Sequence, residues 1–433
     1  MSQSERRSNS STNKIELSRK SLAAVLLGAS ITTIVASSII KALLRKLREQ
    51  QDNAATVGKA LKNSAPYGGF MQAIGNTKLI ELPSLSAIAG CRILAKCEFL
   101  NPGGSSKDRI AKAIMLDAYE KGMVSRSAED PEQQQLGPPT VVEGTSGSTG
   151  ISLALAARAL GLNCLVFMPD DISEDKSNLL KMFGAEVRRV KSASIASPEH
   201  YVNQARSAAA AMPPGTGFFA DQFEHRANHA CHYHGTGAEV WAQTDGKVDA
   251  FISGSGTGGT IAGVGRYLRE RNPEVCICLA DPQGSALANR VNFDILYTDE
   301  MRESTLRRHR YDTIVEGVGL CRLTHNFAQA LKESCKIDIA YTISDQAAVT
   351  MSRWLLNREG LFLGSSSALN CCAALRLAKE KDLGPDKTIV LLLCDGGQRH
   401  VTKFWNDAFL RDKGLDPAVP SNPEELLAAL KEN

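Results

Sequence analysis

In Asn101-Pro102-Gly103-Gly104-Ser105-Ser106-Lys107-Asp108-Arg109 a single lysine falls where a glycine-rich turn gives way to a helical period carried by Ile110, Ala113 and Ile114. Pro102, Gly103 and Gly104 delay the helix, and Ser105 or Ser106 is expected to cap it. Lys107 then starts at a helix N-terminus, where the dipole disfavours a structural cation and favours the free amine. Such an amine is a nucleophile that forms Schiff bases with carbonyl groups.

Four further turns are polar, and three of them are rich in hydroxyls. Thr145-Ser146-Gly147-Ser148-Thr149-Gly150 follows a strand-like Val141–Glu143 and opens a helix of small residues, an arrangement suited to a carboxylate at a helix N-terminus. Gly254-Ser255-Gly256-Thr257-Gly258-Gly259-Thr260 has the same form and could cradle a phosphate through amides and hydroxyls alone. It lacks the Lys of a Walker A loop and the spacing of a dinucleotide fingerprint, so a cofactor's phosphate is the better fit. Gly360–Ala368 is expected to end a strand-like piece in Ser365, Ser366 and Ser367, and Leu393–His400 ends the last strand. Together they place polar turns at the C-terminal ends of strands, where open α/β sheets bind ligands. His225, His229, Cys231, His232 and His234 cluster beyond Gln222 but form no H-E-x-x-H arrangement, so a polar helix without metal is expected.

These turns need a scaffold. Apolar strand-like runs (Arg92–Glu98, Thr140–Glu143, Cys164–Met168, Glu186–Val190, then Val248–Ser253, Glu274–Ala280 and Thr388–Cys394) alternate with helical stretches, which predicts an α/β fold of two three-layer α/β/α domains with mostly parallel sheets. The 433 residues, 43% hydrophobic and 22% charged, suffice for two such domains. A net charge of +3 leaves no nucleic-acid footprint. The eleven cysteines lie mostly inside apolar runs and read as reduced packing residues, with no zinc spacing.

Residues 1–20 are polar and basic, and 21–40 carry no charge and are closed by Lys41, Arg45, Lys46 and Arg48. Twenty helical residues span about 30 Å, one bilayer core, so the expectation is a single N-terminal anchor of the mitochondrial outer-membrane type, with a matrix-targeting segment as the alternative. Residues 41–63 read as a linker, 64–412 as the catalytic region and 413–433 as a tail with one helix, leaving no room for an appended regulatory domain. The insert Ser125–Pro139 is expected to be an exposed loop.

The Lys107 turn, Thr145–Gly150, Gly256–Thr260 and Glu359–Ser366, in this order, resemble the cysteine synthase and cystathionine β-synthase family, the fold type II (tryptophan synthase β-like) pyridoxal-phosphate enzymes, over roughly residues 68–412. The resemblance implies subdomains near 64–224 and 225–412 with the chain crossing between them, and a homodimer. It implies that Lys107 carries pyridoxal 5'-phosphate, that Gly256, Thr257, Gly258, Gly259 and Thr260 hold its phosphate, and that Ser366 faces the ring nitrogen. Thr145, Ser146, Gly147 and Thr149 would bind the substrate carboxylate with Gln222. Ser148 stands where the family usually has an Asn that contacts the cofactor's ring hydroxyl, and Asp395 resembles the cystathionine β-synthase side. The implied reaction is β-replacement of O-acetyl-L-serine by hydrogen sulfide, giving L-cysteine and acetate. Alternatives are cystathionine synthesis, a cysteine-degrading lyase, or a weakly active anchored interaction protein.

Overall fold

The computed structural model describes residues 69–124, 137–172, 174–298 and 313–431. The expected anchor (21–40) and linker (41–63), and residues 125–136 of the expected insert, lie outside them. Among the described residues no helix is long and apolar enough to cross a membrane.

Among the described residues ten strands form two sheets. Six of them, β1 (Leu79–Glu81), β2 (Arg92–Cys97), β7 (Ala250–Gly254), β8 (Cys276–Pro282), β9 (Ile339–Ile343) and β10 (Thr388–Leu393), lie in the order β1-β2-β10-β7-β8-β9. The other four, β3 (Thr140–Gly144), β4 (Asn163–Pro169), β5 (Glu186–Val190) and β6 (Gly217–Phe219), lie in the order β5-β4-β3-β6. Only β1 runs antiparallel to its neighbour. The first two strands thus join a sheet whose other members all follow residue 249, with the smaller sheet inserted between.

Burial explains the strand sequences. β10 sits between β2 and β7 and reads Thr-Ile-Val-Leu-Leu-Leu without alternation, because both faces are covered. Ile389, Leu391 and Leu393 enter one apolar cluster, with the Asp345–Glu359 and Ser365–Glu380 helices. Val390 and Leu392 enter the other, with the Gly259–Arg269 helix. Each such side chain contributes about 1.5–3 kcal/mol by leaving water. β5, an edge strand, reads Glu-Val-Arg-Arg-Val and keeps its charges exposed. In the smaller sheet Val142, Leu165 and Phe167 pack on Ala205 and Ala209 of the Tyr201–Ala210 helix.

Register brings the turns together. Leu393 pairs with Cys97, so the chain leaving β10 lies beside the chain leaving β2, and Ser105 bridges to Asp395. One expectation fails: Gly360–Ala368 does not end a strand. Gly360, at φ 68°, is the left-handed cap of the Asp345–Glu359 helix, whose last turn it closes through hydrogen bonds to Leu355 and Leu356. Leu361–Leu363 is too short to pair beyond the single bridge from Leu363 to Gly396. Three turns therefore follow strands directly, and this one connects two helices.

Candidate active site

After β2 the chain makes one 3-10 turn, Glu98–Leu100, and the turn that presents Lys107. Asn101 ties that turn down, accepting from the Gly75 N–H at 2.9 Å and donating to the Glu98 carbonyl at 2.9 Å. Gly103 is required by close approach: its N–H donates to Asp108 Oδ2 at 2.6 Å, and a Cβ there would lie 2.3 Å from Asp108 Oδ1. Neither serine caps the helix as expected. Ser105 Oγ accepts from the Lys107 N–H at 3.3 Å, and Ser106 Oγ accepts from Lys107 Nζ at 3.1 Å. Behind them Arg109 clamps Glu98 through Nε and Nη2 (2.7 and 2.9 Å) and Glu239 through Nη1 and Nη2 (2.7 and 2.8 Å). Burial opposes the charged form of Glu239, but Arg109 and Lys96 outweigh it and hold the carboxyl down at about 2.

The second turn follows β7 and ends at the N-terminus of the Gly259–Arg269 helix, which has no acidic residue in its first turn. Its glycines are dictated by close contact: a Cβ on Gly256 would lie 2.3 Å from the Gly317 carbonyl oxygen, and one on Gly259 2.0 Å from the side-chain Oδ1 of Asn228. Thr257 Oγ1 accepts from Asn228 Nδ2 at 2.8 Å. Thr260 Oγ1 meets His232 Nε2 at 3.1 Å, and His232 Nδ1 meets Thr236 Oγ1 at 3.0 Å within the π-helical turn His232–Gly237. Burial holds His232 well below the usual imidazole range, so it is a neutral hydrogen-bond bridge.

Ser106, Lys107, Ser253, Gly254, Gly256, Thr257, Gly258, Thr260, Val318, Leu392 and Cys394 line one cavity. It offers an amine on one wall and an anion cradle at a helix N-terminus on another, which fits an aldehyde bearing a phosphate. The buried Ser255 Oγ, without a partner here, leaves one more polar atom in that turn. Ser366, buried, hydrogen-bonds the Cys394 thiol that lines the same cavity.

The hydroxyl loop after β3 is held from both sides. Glu143 is fully buried and accepts from the N–H of Gly144 at 2.8 Å and of Gln222 at 3.1 Å. Burial nevertheless pushes its carboxyl up to about 8. Thr149 Oγ1 donates to Gln222 Oε1 at 2.5 Å, and the Gln222 carbonyl accepts from the same Asn228 side chain that holds Thr257. Thr145 stacks the loop on β4 through its N–H to Phe167, and Gly147 N–H donates to Thr145 Oγ1 at 3.3 Å. Ser152, in the helix opened by Ser148, donates to Asp108 Oδ1 at 2.5 Å and joins this loop to the Lys107 turn. Ser146 lies on the loop with no hydrogen bond that fixes its role.

Residues beyond the expected set complete the surroundings. His400 Nε2 meets Asp395 Oδ2 at 3.0 Å and its Nδ1 lies 3.4 Å from Glu316, which also pairs with Lys176. Burial works against an imidazolium, yet the two carboxylates hold His400 up at about 9. Asn228, His232, Glu316, Arg399 and His400 were not singled out as site residues. Asn228 and His232 lie in a stretch read only as a polar helix, and Arg399 and His400 end a turn that was recognised without roles for its side chains. The histidine cluster is dispersed: His225 caps a helix and faces Asp117 at 3.3 Å, while His229 and His234 pack around Tyr233. Among the described residues no three His, Cys, Asp or Glu side chains are placed to hold a metal ion.

A lysine amine, a glycine-rich turn at a helix N-terminus and a hydroxyl-rich loop meet at the strand ends of two mostly parallel sheets, an arrangement suited to an enzyme that works through a phosphate-bearing aldehyde cofactor. The sequence matches the family described as "Pyridoxal-phosphate dependent enzyme" over residues 70–395. It is 47% identical over 397 residues to "Cysteine synthase 2" of Schizosaccharomyces pombe, covering 90% of this chain and 96% of the relative. It is 46% identical over 348 residues to the "Putative mitochondrial cysteine synthase" of Saccharomyces cerevisiae, covering 79% and 85%. The crystal structure of an O-acetylserine dependent cystathionine beta-synthase from Helicobacter pylori superposes with a TM-score of 0.64 at 27% identity, over 78% of this chain and 97% of that one. The chain belongs to the pyridoxal-phosphate dependent family, among the fold type II enzymes of the cysteine synthase and cystathionine β-synthase group.

Proposed function

We propose that this enzyme makes L-cysteine and acetate from O-acetyl-L-serine and hydrogen sulfide. The observation that carries the proposal is the single cavity in which Lys107 faces the Gly256–Thr260 cradle, coupled through Asn228 to the Thr149–Gln222 pair. Bound pyridoxal phosphate would supply a carbonyl for amine capture and a ring that accepts the electrons of the substrate's Cα–H bond. Lys107 would hold the cofactor, and its Nζ, steadied by Ser106 Oγ, would take the substrate's α-proton. Gly256, Thr257, Gly258, Gly259 and Thr260 hold the phosphate through N–H groups and hydroxyls. Thr145, Ser146, Gly147, Thr149 and Gln222 orient the substrate carboxylate, Ser148 contacts the ring hydroxyl, and a neutral Ser366 hydroxyl faces the ring nitrogen. Leaving that nitrogen without a counter-charge favours loss of a β-leaving group over transamination.

A second reading, cystathionine synthesis, is favoured by Asp395 and by the Helicobacter structure's description. Parallel product assays with sulfide and with homocysteine separate them: cysteine formed at least tenfold faster supports the proposal, and the reverse order replaces it. The uncharged segment 21–40 is the proposed membrane anchor, supported by its flanking basic residues, and a mitochondrial location is supported by the designation of the Saccharomyces relative. Fractionation with protease protection tests it, and a soluble matrix protein lacking residues 1–40 would refute it. A homodimer is proposed on family grounds, and sedimentation of the purified chain checks it.

A further inference from the structure

Arg399 ends the short turn Gly397–Arg399 after β10 and reaches across to two other segments. Its Nη1 donates to Ser148 Oγ at 3.2 Å and its Nη2 donates to the Gly103 carbonyl. The contact is close enough that a Cβ on Gly104 would lie 3.1 Å from Nη2. The half-buried guanidinium is thus wedged between the Lys107 turn and the hydroxyl loop, bonded only to neutral oxygens. Among the described residues no carboxylate pairs with it within ion-pair distance; its charge is felt at a distance by Asp108 and Asp395.

A serine hydroxyl has one proton and two lone pairs. With one lone pair engaged by Arg399, the Ser148 proton remains free to donate, and a cation behind the oxygen strengthens that donation. We propose that Arg399 is a positioning residue that acts through Ser148, orienting its hydroxyl as a donor to the ring oxygen of bound pyridoxal phosphate and keeping that oxygen ionised. This rests on the cofactor reading above and deepens it. A short hydroxyl with a cation behind it takes the place of a longer amide side chain.

The test is the absorbance spectrum of the unreacted full chain loaded with pyridoxal phosphate, recorded across pH, for the parent, Arg399→Gln, Arg399→Lys and Ser148→Ala. The ionised ring absorbs at longer wavelength than the neutral ring, so the ratio of the two bands reports the oxygen directly and does not depend on turnover. Arg399→Gln and Ser148→Ala should each shift the midpoint of that ratio by about one pH unit toward the neutral ring, a tenfold change in the equilibrium. Arg399→Lys should retain at least half of the effect. Ser148→Ala leaves the Gly103 contact of Arg399 in place, so it separates the relay from simple tethering of the turn and serves if Arg399→Gln misfolds. A parent band indifferent to both substitutions overturns this assignment alone. A parent chain with no visible band overturns both the assignment and the reading beneath it.

Discussion

Gly258 is the position in the proposed phosphate cradle where a positive φ and close backbone contact coincide. It precedes the Gly259–Arg269 helix at φ 86°, and a Cβ there would lie 2.5 Å from both N and Cα of Phe327 and 2.6 Å from its Cβ. Placing an L-residue in that conformation costs about 1–2 kcal/mol. Overpacking against backbone adds about 1–3 kcal/mol. Phe327 cannot retreat freely, because its N–H is capped by Thr324 Oγ1 at 2.9 Å and Thr324 itself donates to the Thr257 carbonyl at 2.7 Å. The cheapest relief is for the Gly256–Thr260 turn to move, which displaces the groups that would hold the phosphate. If about 3 kcal/mol appears as lost binding, Gly258→Ala weakens pyridoxal phosphate affinity roughly a hundredfold. Spectroscopic titration of the cofactor-free chain measures this directly. Gly414→Ala is the control, since Gly414 has φ 74° but nothing within 4 Å of its Cβ, and it should lose a little stability and no cofactor affinity. A Gly258→Ala chain that binds the cofactor as tightly as the parent, with unchanged unfolding, would refute the reasoning.

Thr149→Val removes the hydrogen bond to Gln222 and should raise the amino-acid KM about tenfold while leaving the cofactor spectrum unchanged, the loss of roughly 1.5 kcal/mol for one buried bond. Arg109→Met strands the buried Glu98, leaves Glu239 with Lys96 as its remaining cation, and should lower unfolding stability in urea by about 3–5 kcal/mol. His400 is held above its unfolded value, so its stabilisation is fully present below about pH 6.5 and is lost as pH rises through about 9. Melting temperature should therefore fall between pH 7 and 10 in the parent and fall less in His400→Gln.

Much of this architecture is written in local patterns. β5 was expected at its observed bounds, and β2, β3, β4 and β10 lie within one or two residues of theirs, because apolar runs bounded by turns carry the signal. Gly360–Ala368 was misread because Leu-Phe-Leu looks strand-like, whereas only the preceding helix shows that Gly360 is its cap. The glycine-rich turns announced themselves, since close backbone approach leaves no other residue type. The side chains that connect them did not. Asn228 holds Gln222 and also reaches Thr257 across 29 residues, and Arg399 reaches Ser148 across 251, contacts that depend on how the two sheets meet and leave no local trace.

Lys107 and the Gly256–Thr260 turn are proposed to hold pyridoxal phosphate for β-replacement on an acyl-serine. The most direct test is the absorbance spectrum of the purified full chain before and after O-acetylserine and then sulfide, with Lys107→Ala in parallel. The expected result is a visible cofactor band that moves to longer wavelength with O-acetylserine and returns on adding sulfide as cysteine is released, with the parent's starting form missing in Lys107→Ala. A parent band that ignores O-acetylserine, or a Lys107→Ala chain that turns over like the parent, would contradict it.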